Sequence, residues 1–324
     1  MIKDGNYLFI RKESHEFIYT FACQKEEQSL AHLEMRSLFG EQTDINILKS
    51  AIKIDPSRSP FIKERIEVIY DGDGLPEIVE QVGHIDMKES TFKVIFIKIN
   101  DLEADQKIEY DQRRLIEREI GWEIKGEADV RQPDHLFGIV TLGGRWYFGN
   151  LRKNQALWLQ HMKKPQTFST ALSTRVARAV ANIAVPKTEG VKAIDPCCGI
   201  GTVLVEALSM GINIVGRDIN PLVASGSREN IAFFGYQGEV GMGPISDVTE
   251  QYDVAIIDLP YNLYTHATPE EQFNILKHAR RIAKKAVIIT IETIDEMIME
   301  AGFDIQDRCV ASKGVFSRQI LVCK

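Results

Sequence analysis

The stretch from Val191 to Asn220 constrains the fold more than any other part of the chain. A short apolar run ends at Asp195, and a turn containing two glycines follows it. A helical apolar pattern then begins at Thr202, and a second apolar run ends just before Asp218. A strand, a glycine turn, a helix and a second strand in this order predict an open parallel sheet that binds its ligand near the first turn.

The two glycines of this turn are Gly199 and Gly201. A dinucleotide-binding turn has a third glycine that lets the helix pack closely beneath a pyrophosphate, and Leu204 occupies that position here. The sequence also lacks the Gly-Lys-Ser/Thr run of a P-loop. The pattern therefore disfavours a nicotinamide-dependent oxidoreductase, and NADH binding would test that alternative.

Carboxylates flank the glycine turn, and they suit a ligand with a cationic amino acid at one end and a nucleoside at the other. Asp195 can attract an ammonium group, while the bare backbone at Gly199 and Gly201 leaves room for the ligand chain. Asp218 can accept hydrogen bonds from both ribose hydroxyls as a charge-assisted pair. S-adenosylmethionine has this shape, and we expect it as the cofactor.

Other residues of the same region are expected to contact this cofactor: Pro196, Cys197, Thr202 and Ile219. Cys197 is expected to be a small turn residue rather than a nucleophile, because no partner base is evident. Asp247 follows the candidate third strand and is expected to contact the adenine amine, although capping of a helix would also account for it.

The candidate catalytic residues follow a fourth strand, Asp253–Ile257. Asp258 comes at its carboxyl end, beside the crevice where such sheets bind ligands. An exocyclic amine on a purine is a poor nucleophile, since its lone pair is delocalised into the ring. Asp258 and the carbonyl of Leu259 or Pro260 could accept its two N–H groups, and Asp258 also offers a route for the lost proton. Tyr261 is expected to stack on the base, and Asp258 also borders the cofactor.

Composition limits the remaining possibilities. The chain has 324 residues, a net charge of −7 and five cysteines without paired zinc spacing. Reduced thiols are the simplest interpretation, so we expect a cytoplasmic protein without a resident metal. No apolar stretch is long enough to cross a bilayer, and the N-terminus lacks a signal-peptide pattern. The negative net charge argues weakly against nucleic-acid binding, but a local basic face is compatible with it.

Several local patterns predict secondary structure outside the cofactor region. Strand patterns cover Asn6–Arg11, Glu16–Cys23 and Thr91–Ile99, and Gly143-Gly144 predicts a hairpin turn. Helical patterns cover Glu26–Leu38 and Tyr110–Ile120, and Ser173 is a candidate N-cap. Two strands near Phe303–Cys309 and Gln319–Cys323 are expected to pair antiparallel.

Four segments resemble the THUMP-containing tRNA guanine-N2 methyltransferases: Ser169–Asn182, Asp195–Thr202, Gly216–Ile219 and Asp258–Tyr261, with a weaker match at Ser317–Cys323. The resemblance implies a Rossmann-like class I methyltransferase domain over residues 161–324. Asp129–Asp134, with the strand, tight turn and aromatic-Gly ending that follow, resembles the end of a THUMP domain. This second resemblance implies an N-terminal α+β region, with a ferredoxin-like segment over 1–49 and a THUMP-like RNA-binding domain over 50–160. The expected partner is RNA, most simply tRNA, and no membrane.

The sequence departs from the family motif at two positions. Leu259 stands where the acidic-Pro-Pro-aromatic motif has its first proline, and Asn262 stands where a glycine usually follows. These departures leave other acceptors open: adenine N6 in DNA or RNA, or guanine in ribosomal RNA. A non-catalytic RNA-binding relative is a further alternative. Neither an activating partner nor an oligomeric state is indicated.

Overall fold

The structure is a computed structural model that describes residues 16–40, 45–102, 107–169, 171–260, 267–313 and 316–324. The predicted strand Asn6–Arg11 and the residues Tyr261 and Asn262 lie outside this part of the chain.

The elements up to residue 153 are, in chain order, β1 (Phe17–Phe21), α1 (Gln28–Phe39), β2 (Ile47–Ser50), β3 (Ile62–Gly72), α2 (Leu75–Val82), β4 (Asp86–Phe96), α3 (Tyr110–Glu123), β5 (Lys125–Ala128), β6 (His135–Leu142) and β7 (Arg145–Lys153). The later elements are α4 (Trp158–His161), α5 (Thr174–Ala184), β8 (Lys192–Asp195), α6 (Thr202–Ser209), β9 (Asn213–Asp218), α7 (Pro221–Phe233), β10 (Val240–Met242), β11 (Tyr252–Asp258), α8 (Pro269–Ile282), β12 (Ala283–Thr290), α9 (Asp295–Glu300), β13 (Ile305–Lys313) and β14 (Phe316–Cys323).

These elements form two compact units. The first unit takes the described parts of Met1–Ala22, Thr43–Ser57 and Phe61–Gln155. The second takes those of Cys23–Gln42, Arg58–Pro60 and Ala156–Lys324.

The first unit is built on a seven-stranded sheet in the order β2-β1-β3-β7-β6-β4-β5. β4 pairs in parallel with β5 and β6, and the other neighbours pair antiparallel. Phe92, Val94 and Phe96 of β4 pack in one core cluster together with residues of α2 and α3, whereas Ile95 and Ile97 pack with a second cluster. Since side chains alternate along a strand, β4 is covered on both faces, as its sequence predicts.

Local patterns in the first unit are confirmed where they depend on backbone conformation. Gly143 and Gly144 have φ of 62° and 73° and join β6 to β7, as the double glycine predicts. The helical pattern from Tyr110 is also confirmed, and its helix α3 ends at Glu123.

The second unit contains a sheet in the order β10-β9-β8-β11-β12-β14-β13. The first five strands in this order are mutually parallel, and β14 lies antiparallel between β12 and β13. This mixed α/β arrangement is that of a class I methyltransferase, and the predicted antiparallel pairing of the last two strands is confirmed. The order reverses beside β8, so a ligand crevice is expected at the carboxyl ends of β8 and its neighbours.

Helix α1 belongs to the second unit, although it lies between β1 and β2 in the sequence. Gly40 ends it with a φ of 75°. Arg36 of α1 pairs with Asp307 of β13 at 2.9 Å. Fully buried Glu34 accepts hydrogen bonds from Ser59 at 2.5 Å and from Asn182 of α5 at 2.6 Å.

The structure therefore divides the chain differently from the predicted boundaries at residues 49 and 160. Strand β1 pairs with β2 on one side and β3 on the other, so the described strands before residue 50 share a sheet with strands that follow it. Long-range strand pairing decides this division, and no local sequence pattern records it. Among the residues that the structure describes, no helix has the length and apolarity needed to cross a membrane.

Candidate active site

A cavity of about 470 Å³ opens at the carboxyl ends of β8, β9 and β11 in the second unit. Nine of the predicted site residues line it: Asp195, Pro196, Cys197, Gly199, Thr202, Asp218, Ile219, Asp258 and Pro260. The parallel strands place these side chains together because their carboxyl ends meet at one edge of the sheet. The roles predicted for them remain proposals.

The turn between β8 and α6 is held by short hydrogen bonds. Cys197 N–H donates to Asp195 Oδ1 at 3.2 Å, and Gly201 N–H donates to the Cys198 carbonyl at 2.8 Å. Gly199 has a φ of +54°, which favours glycine, and a Cβ there would meet no atom within 4 Å. The backbone at Gly199 is therefore open to the cavity.

Gly201 has a structural role in this turn and does not line the cavity. Its φ is +75°, and a Cβ there would lie 2.2 Å from Ser227 Oγ of α7. Only glycine therefore fits without movement of α6 or α7.

Close packing of α6 on the sheet is achieved without the third glycine of a dinucleotide-binding turn. Leu204 is buried, and a Cβ on Gly216 of β9 would lie 2.3 Å from Leu204 Cδ1. The glycine that permits close packing is therefore Gly216 on the strand. The helix can carry Leu204 at the position of the third glycine for this reason.

Asp218 is fixed by two backbone groups. Its Oδ2 accepts a hydrogen bond from Gly199 N–H at 2.9 Å, and its Oδ1 accepts one from Asn220 N–H at 2.9 Å. Each carboxylate oxygen has two lone pairs, so each can accept one further hydrogen bond. The orientation suits a ligand with two adjacent hydroxyl groups.

Three carboxylates give the cavity its electrostatic character. Burial raises the pKa of Asp195 well above its ordinary value, and the charges of Asp258 and Asp218 add to this effect. The pKa of Asp258 is also raised, to about 7. Burial causes the rise, and the positive charge of Arg318 partly offsets it. No lysine or arginine is among the described residues that line the cavity. A cationic ligand is therefore favoured there.

Asp258 ends β11 in surroundings that leave one of its oxygens available. Its Oδ1 is buried and has no hydrogen-bond partner among the described residues. Leu259, the next residue, is buried in the core, and its N–H donates to the Ile289 carbonyl at 3.0 Å. A proline could not make this bond, so the departure from the family motif lengthens the pairing of β11 with β12.

The Pro260 carbonyl is held by a residue that the sequence analysis missed. Gln272 of α8 is buried and donates from Nε2 to this carbonyl at 2.8 Å. Gln272 is the fourth residue of α8, and no sequence pattern distinguishes it from a surface glutamine. Phe168, Leu172, Val223 and Ile245 also line the cavity and were missed.

The remaining predictions for the site have different outcomes. Asp247 does not line the cavity, and its exposed carboxylate lies 3.5 Å from Arg217 Nη2. It is the last residue of a short 3₁₀ helix, Ile245–Asp247, and is not the N-cap of that helix. Ile245, the first residue of the same helix, lines the cavity. Tyr261 lies outside the described residues. Burial raises the pKa of Cys197 and Cys198, which agrees with turn residues rather than nucleophiles.

The donors and acceptors of this cavity fit S-adenosylmethionine. Asp195 is an acidic side chain that could attract its ammonium group, and Asp218 offers acceptors that could bind a ribose. The buried Thr202 Oγ1 has no partner among the described residues, so it can bond to a ligand. This molecule is the methyl donor of class I methyltransferases.

Comparison with known proteins agrees with this geometry. The model of the UPF0020 family, described as an RMKL-like methyltransferase domain, matches residues 162–304. The tRNA (guanine(10)-N2)-dimethyltransferase of Methanothermobacter thermautotrophicus is 26% identical over 276 residues, covering 76% of this chain and 79% of that protein. The tRNA (guanine(10)-N2)-dimethyltransferase of Methanocaldococcus jannaschii is 27% identical, covering 70% of this chain and 65% of that protein.

A bovine relative and one solved structure extend the comparison. U6 snRNA (guanine-N(2))-methyltransferase THUMPD2 of Bos taurus is 29% identical over 44% of this chain and 28% of its own length. The crystal structure of TrmN from Thermus thermophilus aligns with 96% of this chain and 99% of its own, at 14% identity and a TM-score of 0.48. Residues 162–304 therefore match a methyltransferase domain of the RMKL-like UPF0020 type, and this match lies within the second unit.

Proposed function

We propose that this protein transfers a methyl group from S-adenosylmethionine to the exocyclic N2 amine of a guanine in tRNA. The observation that carries the proposal is the buried, unpartnered Asp258 Oδ1 at the carboxyl end of β11, in the same cavity as Asp195 and Asp218. The names of the archaeal relatives support tRNA as the acceptor and guanine N2 as the target.

Asp258 and the following turn would prepare the amine for attack. The Asp258 carboxylate accepts one N–H of the amine, and a backbone carbonyl at Leu259 or Pro260 accepts the other. Gln272 fixes the orientation of the Pro260 carbonyl, and Tyr261 stacks on the base. These bonds pull the nitrogen toward a tetrahedral geometry, in which its lone pair is free to react. S-adenosylmethionine, when bound, supplies the electrophilic methyl group.

Asp258 would also receive the proton that the amine loses. A general base is most effective when its pKa lies near the working pH. Burial raises the pKa of Asp258 to about 7, so this carboxyl group can both release and accept a proton near neutrality. The remaining acceleration comes from alignment of the nitrogen with the methyl group.

The cofactor contacts follow from the same cavity. Asp195 attracts the ammonium group, and Asp218 binds the ribose hydroxyls. Pro196, Cys197, Gly199 and Thr202 border the amino-acid end. Ile219 is exposed and lines the cavity, so it offers an apolar surface to the adenine ring, and Ile245 offers a second one.

We also propose that the first unit holds the RNA as a THUMP-like domain, and that the protein works in the cytoplasm. The resemblance of Asp129–Asp134 and the following hairpin to the end of a THUMP domain supports the first part. The relative named THUMPD2 supports it as well. All five cysteines are free thiols in the structure, which supports the second part.

The test is methyl transfer from labelled S-adenosylmethionine to unmodified tRNA transcripts, followed by nucleoside analysis. Parallel acceptors are a U6 snRNA transcript, total ribosomal RNA and genomic DNA. Because the archaeal relatives are named for guanine 10, a tRNA transcript with adenine at position 10 is the matched control.

We expect label in N2-methylguanosine or N2,N2-dimethylguanosine from tRNA, and its loss from the adenine-10 transcript. Label in N2-methylated guanosine from the adenine-10 transcript would support guanine N2 as the target but place it at another position of the tRNA. Label only in U6 snRNA, ribosomal RNA or DNA would refute tRNA as the acceptor. Absence of label from every acceptor, despite cofactor binding, would contradict the proposed activity.

A further inference from the structure

The ionisable groups around Asp258 are acidic on one side of it and basic on the other. On the β8 side, the groups that interact electrostatically with it are the Asp195 carboxyl and the Cys197 thiol. On the other side, beyond β12, the interacting group is the Arg318 guanidinium of β14. Asp258 therefore lies between acidic groups and one cation.

The register of the sheet explains how Arg318 reaches this place. Asp258 pairs with Ile289 of β12, and Ile289 pairs with Ile320 of β14. Paired residues in neighbouring strands project to the same face, and so do residues two apart in one strand. Arg318 is two residues from Ile320, so it lies on the face of Asp258.

Arg318 also lies at the correct end of the sheet. Gln319 pairs with Thr290, the last residue of β12, so Arg318 lies just beyond the carboxyl end of that strand. Its partner in the other direction is Ala311 of β13. The carboxyl edge is the edge where the cavity opens, and a long side chain at this point can reach toward Asp258.

The guanidinium is held in place by an aromatic ring. The central carbon of the Arg318 guanidinium lies 4.6 Å from the centroid of the Phe316 ring. Phe316 is two residues earlier in β14 and so projects to the same face. A planar guanidinium stacked on a ring keeps its charge in a defined position at low entropic cost.

We propose that Arg318 is a positioning residue for methyl transfer, whose guanidinium keeps the Asp258 carboxyl group in its charged, proton-accepting form. The inference deepens the proposed function and rests on it for the identity of the reaction. Burial disfavours the charged carboxylate, and the Arg318 guanidinium offsets this effect. Among the described residues that line the cavity there is no lysine or arginine, so Arg318 provides its charge from behind the lining.

The test uses the full chain with Arg318→Gln, Arg318→Met and Arg318→Lys. Arg308→Gln is the matched control, because Arg308 lies on the same hairpin and pairs with Asp295 instead. The first readout is the titration of the Asp258 carboxyl carbon by ¹³C NMR without RNA or cofactor, assigned with Asp258→Asn. The second is the pH profile of single-turnover methylation.

We expect the Asp258 midpoint to rise by about one pH unit in the Gln and Met variants. Methylation at pH 7 then falls about fivefold and recovers to within about twofold by pH 9, since the charged fraction at pH 7 drops from about one half to about one eleventh when the pKa rises from about 7 to about 8. Arg318→Lys keeps the charge and retains most of the activity. Arg308→Gln matches the wild type in both readouts.

An unchanged Asp258 midpoint in both the Gln and Met variants would overturn the inference. So would a loss of rate that is equal at every pH, or a rise only in the KM for RNA, because these indicate RNA binding or folding. The NMR titration needs no acceptor. It therefore decides the inference about Arg318 even if methylation assays refute the proposed substrate.

Discussion

The carboxyl group of Asp258 ends a buried strand, and one of its two oxygens has no partner among the described residues. Burial of an acceptor without a hydrogen bond costs free energy. Such an acceptor is therefore expected where a bound ligand donates the missing hydrogen bond. The neighbouring Leu259 N–H and Pro260 carbonyl are both engaged by the scaffold, at Ile289 and Gln272. The site therefore has a rigid frame around one available oxygen.

Replacement of Asp258 by Asn should remove the proton acceptor while leaving the shape of the cavity. We expect methyl transfer to fall by roughly a hundredfold to ten-thousandfold, the range typical for loss of a general base. Cofactor affinity should stay nearly intact, because Asp195 and Asp218 remain. Single-turnover kinetics and calorimetric titration with S-adenosylmethionine measure the two effects. An Asp258→Asn variant with full activity would refute the proposed role.

The pH dependence of the wild-type reaction provides a second prediction. Burial raises the pKa of Asp258 to about 7, and the charged form is the one that accepts a proton. The single-turnover rate should therefore rise with pH up to about 7 and level off above it. A rate that is already constant between pH 5 and 7 would show that Asp258 ionises earlier or does not act as the base.

Two contacts between elements contribute to the stability of the second unit. The first is the packing of α6 on β9, where Gly216 leaves room for Leu204. Helix and strand approach closely at this point, and the interior is packed too tightly to accept an added methyl group without movement.

Replacement of Gly216 by Ala should destabilise the protein by about 1–3 kcal/mol through overpacking against Leu204. In the background of Leu204→Ala the same replacement should cost less, because the clashing methyl group is gone. Urea unfolding of the four proteins of this double-mutant cycle gives the coupling energy. Equal costs in both backgrounds would mean that another contact, such as the one with Cys198, decides the effect.

The second contact joins α1 to α5 through Glu34. Burial raises the pKa of Glu34 to about 7, so the folded protein holds this proton more tightly than the unfolded chain does. The contribution of Glu34 to stability is therefore present below the unfolded pKa of 4.5 and is lost as the pH rises to about 7. The loss can reach roughly 3 kcal/mol, since each pKa unit corresponds to 1.36 kcal/mol.

Glu34→Gln should abolish this part of the pH dependence. We expect the variant to be as stable as the wild type near pH 5 and more stable above pH 7, because the amide cannot ionise. Chemical denaturation at several pH values measures the difference between the two proteins. A difference that does not change with pH would show that Glu34 does not titrate in this range.

At the scale of the whole molecule, the second unit takes in chain segments from the N-terminal third. Helix α1 buries Leu30, Leu33, Met35 and Leu38, and the Arg58–Pro60 segment contributes hydrogen bonds to α5. Buried Arg178 of α5 illustrates this dependence: it pairs with Glu206 at 2.6 Å and donates to the Arg58 carbonyl at 3.0 Å. A fragment without these segments leaves buried charges and apolar surface exposed.

A fragment of residues 156–324 should therefore fail to unfold cooperatively, although it contains the whole cofactor cavity. A second fragment, with residues 23–42 joined to residue 156 by a flexible linker, should recover a cooperative transition. Circular dichroism during heating compares both with the full chain. A 156–324 fragment that melts within about 5 °C of the full chain would contradict the assignment of α1 to this unit.

The sequence by itself determined the β-α-β unit, the hairpin at Gly143, the N-cap at Ser173 and nine residues of the cavity lining. The N-cap is confirmed by the bond from Val176 N–H to Ser173 Oγ at 3.3 Å. These features depend on backbone conformation and on side-chain periodicity over a few residues, and both are local properties. Residues at strand ends could be grouped because parallel strands bring their carboxyl ends to one edge.

Only the tertiary structure decided which unit holds α1, that Ile245 rather than Asp247 lines the cavity, and that Gln272 and Arg318 support the site. Each of these depends on side chains that are close in space and far apart in the chain, such as Glu34 and Asn182 or Asp258 and Arg318. Local patterns do not record such pairs, because the free energy of a buried contact comes from the packing of whole elements. The chemistry of a strand end was therefore predictable, whereas the residues that tune it were not.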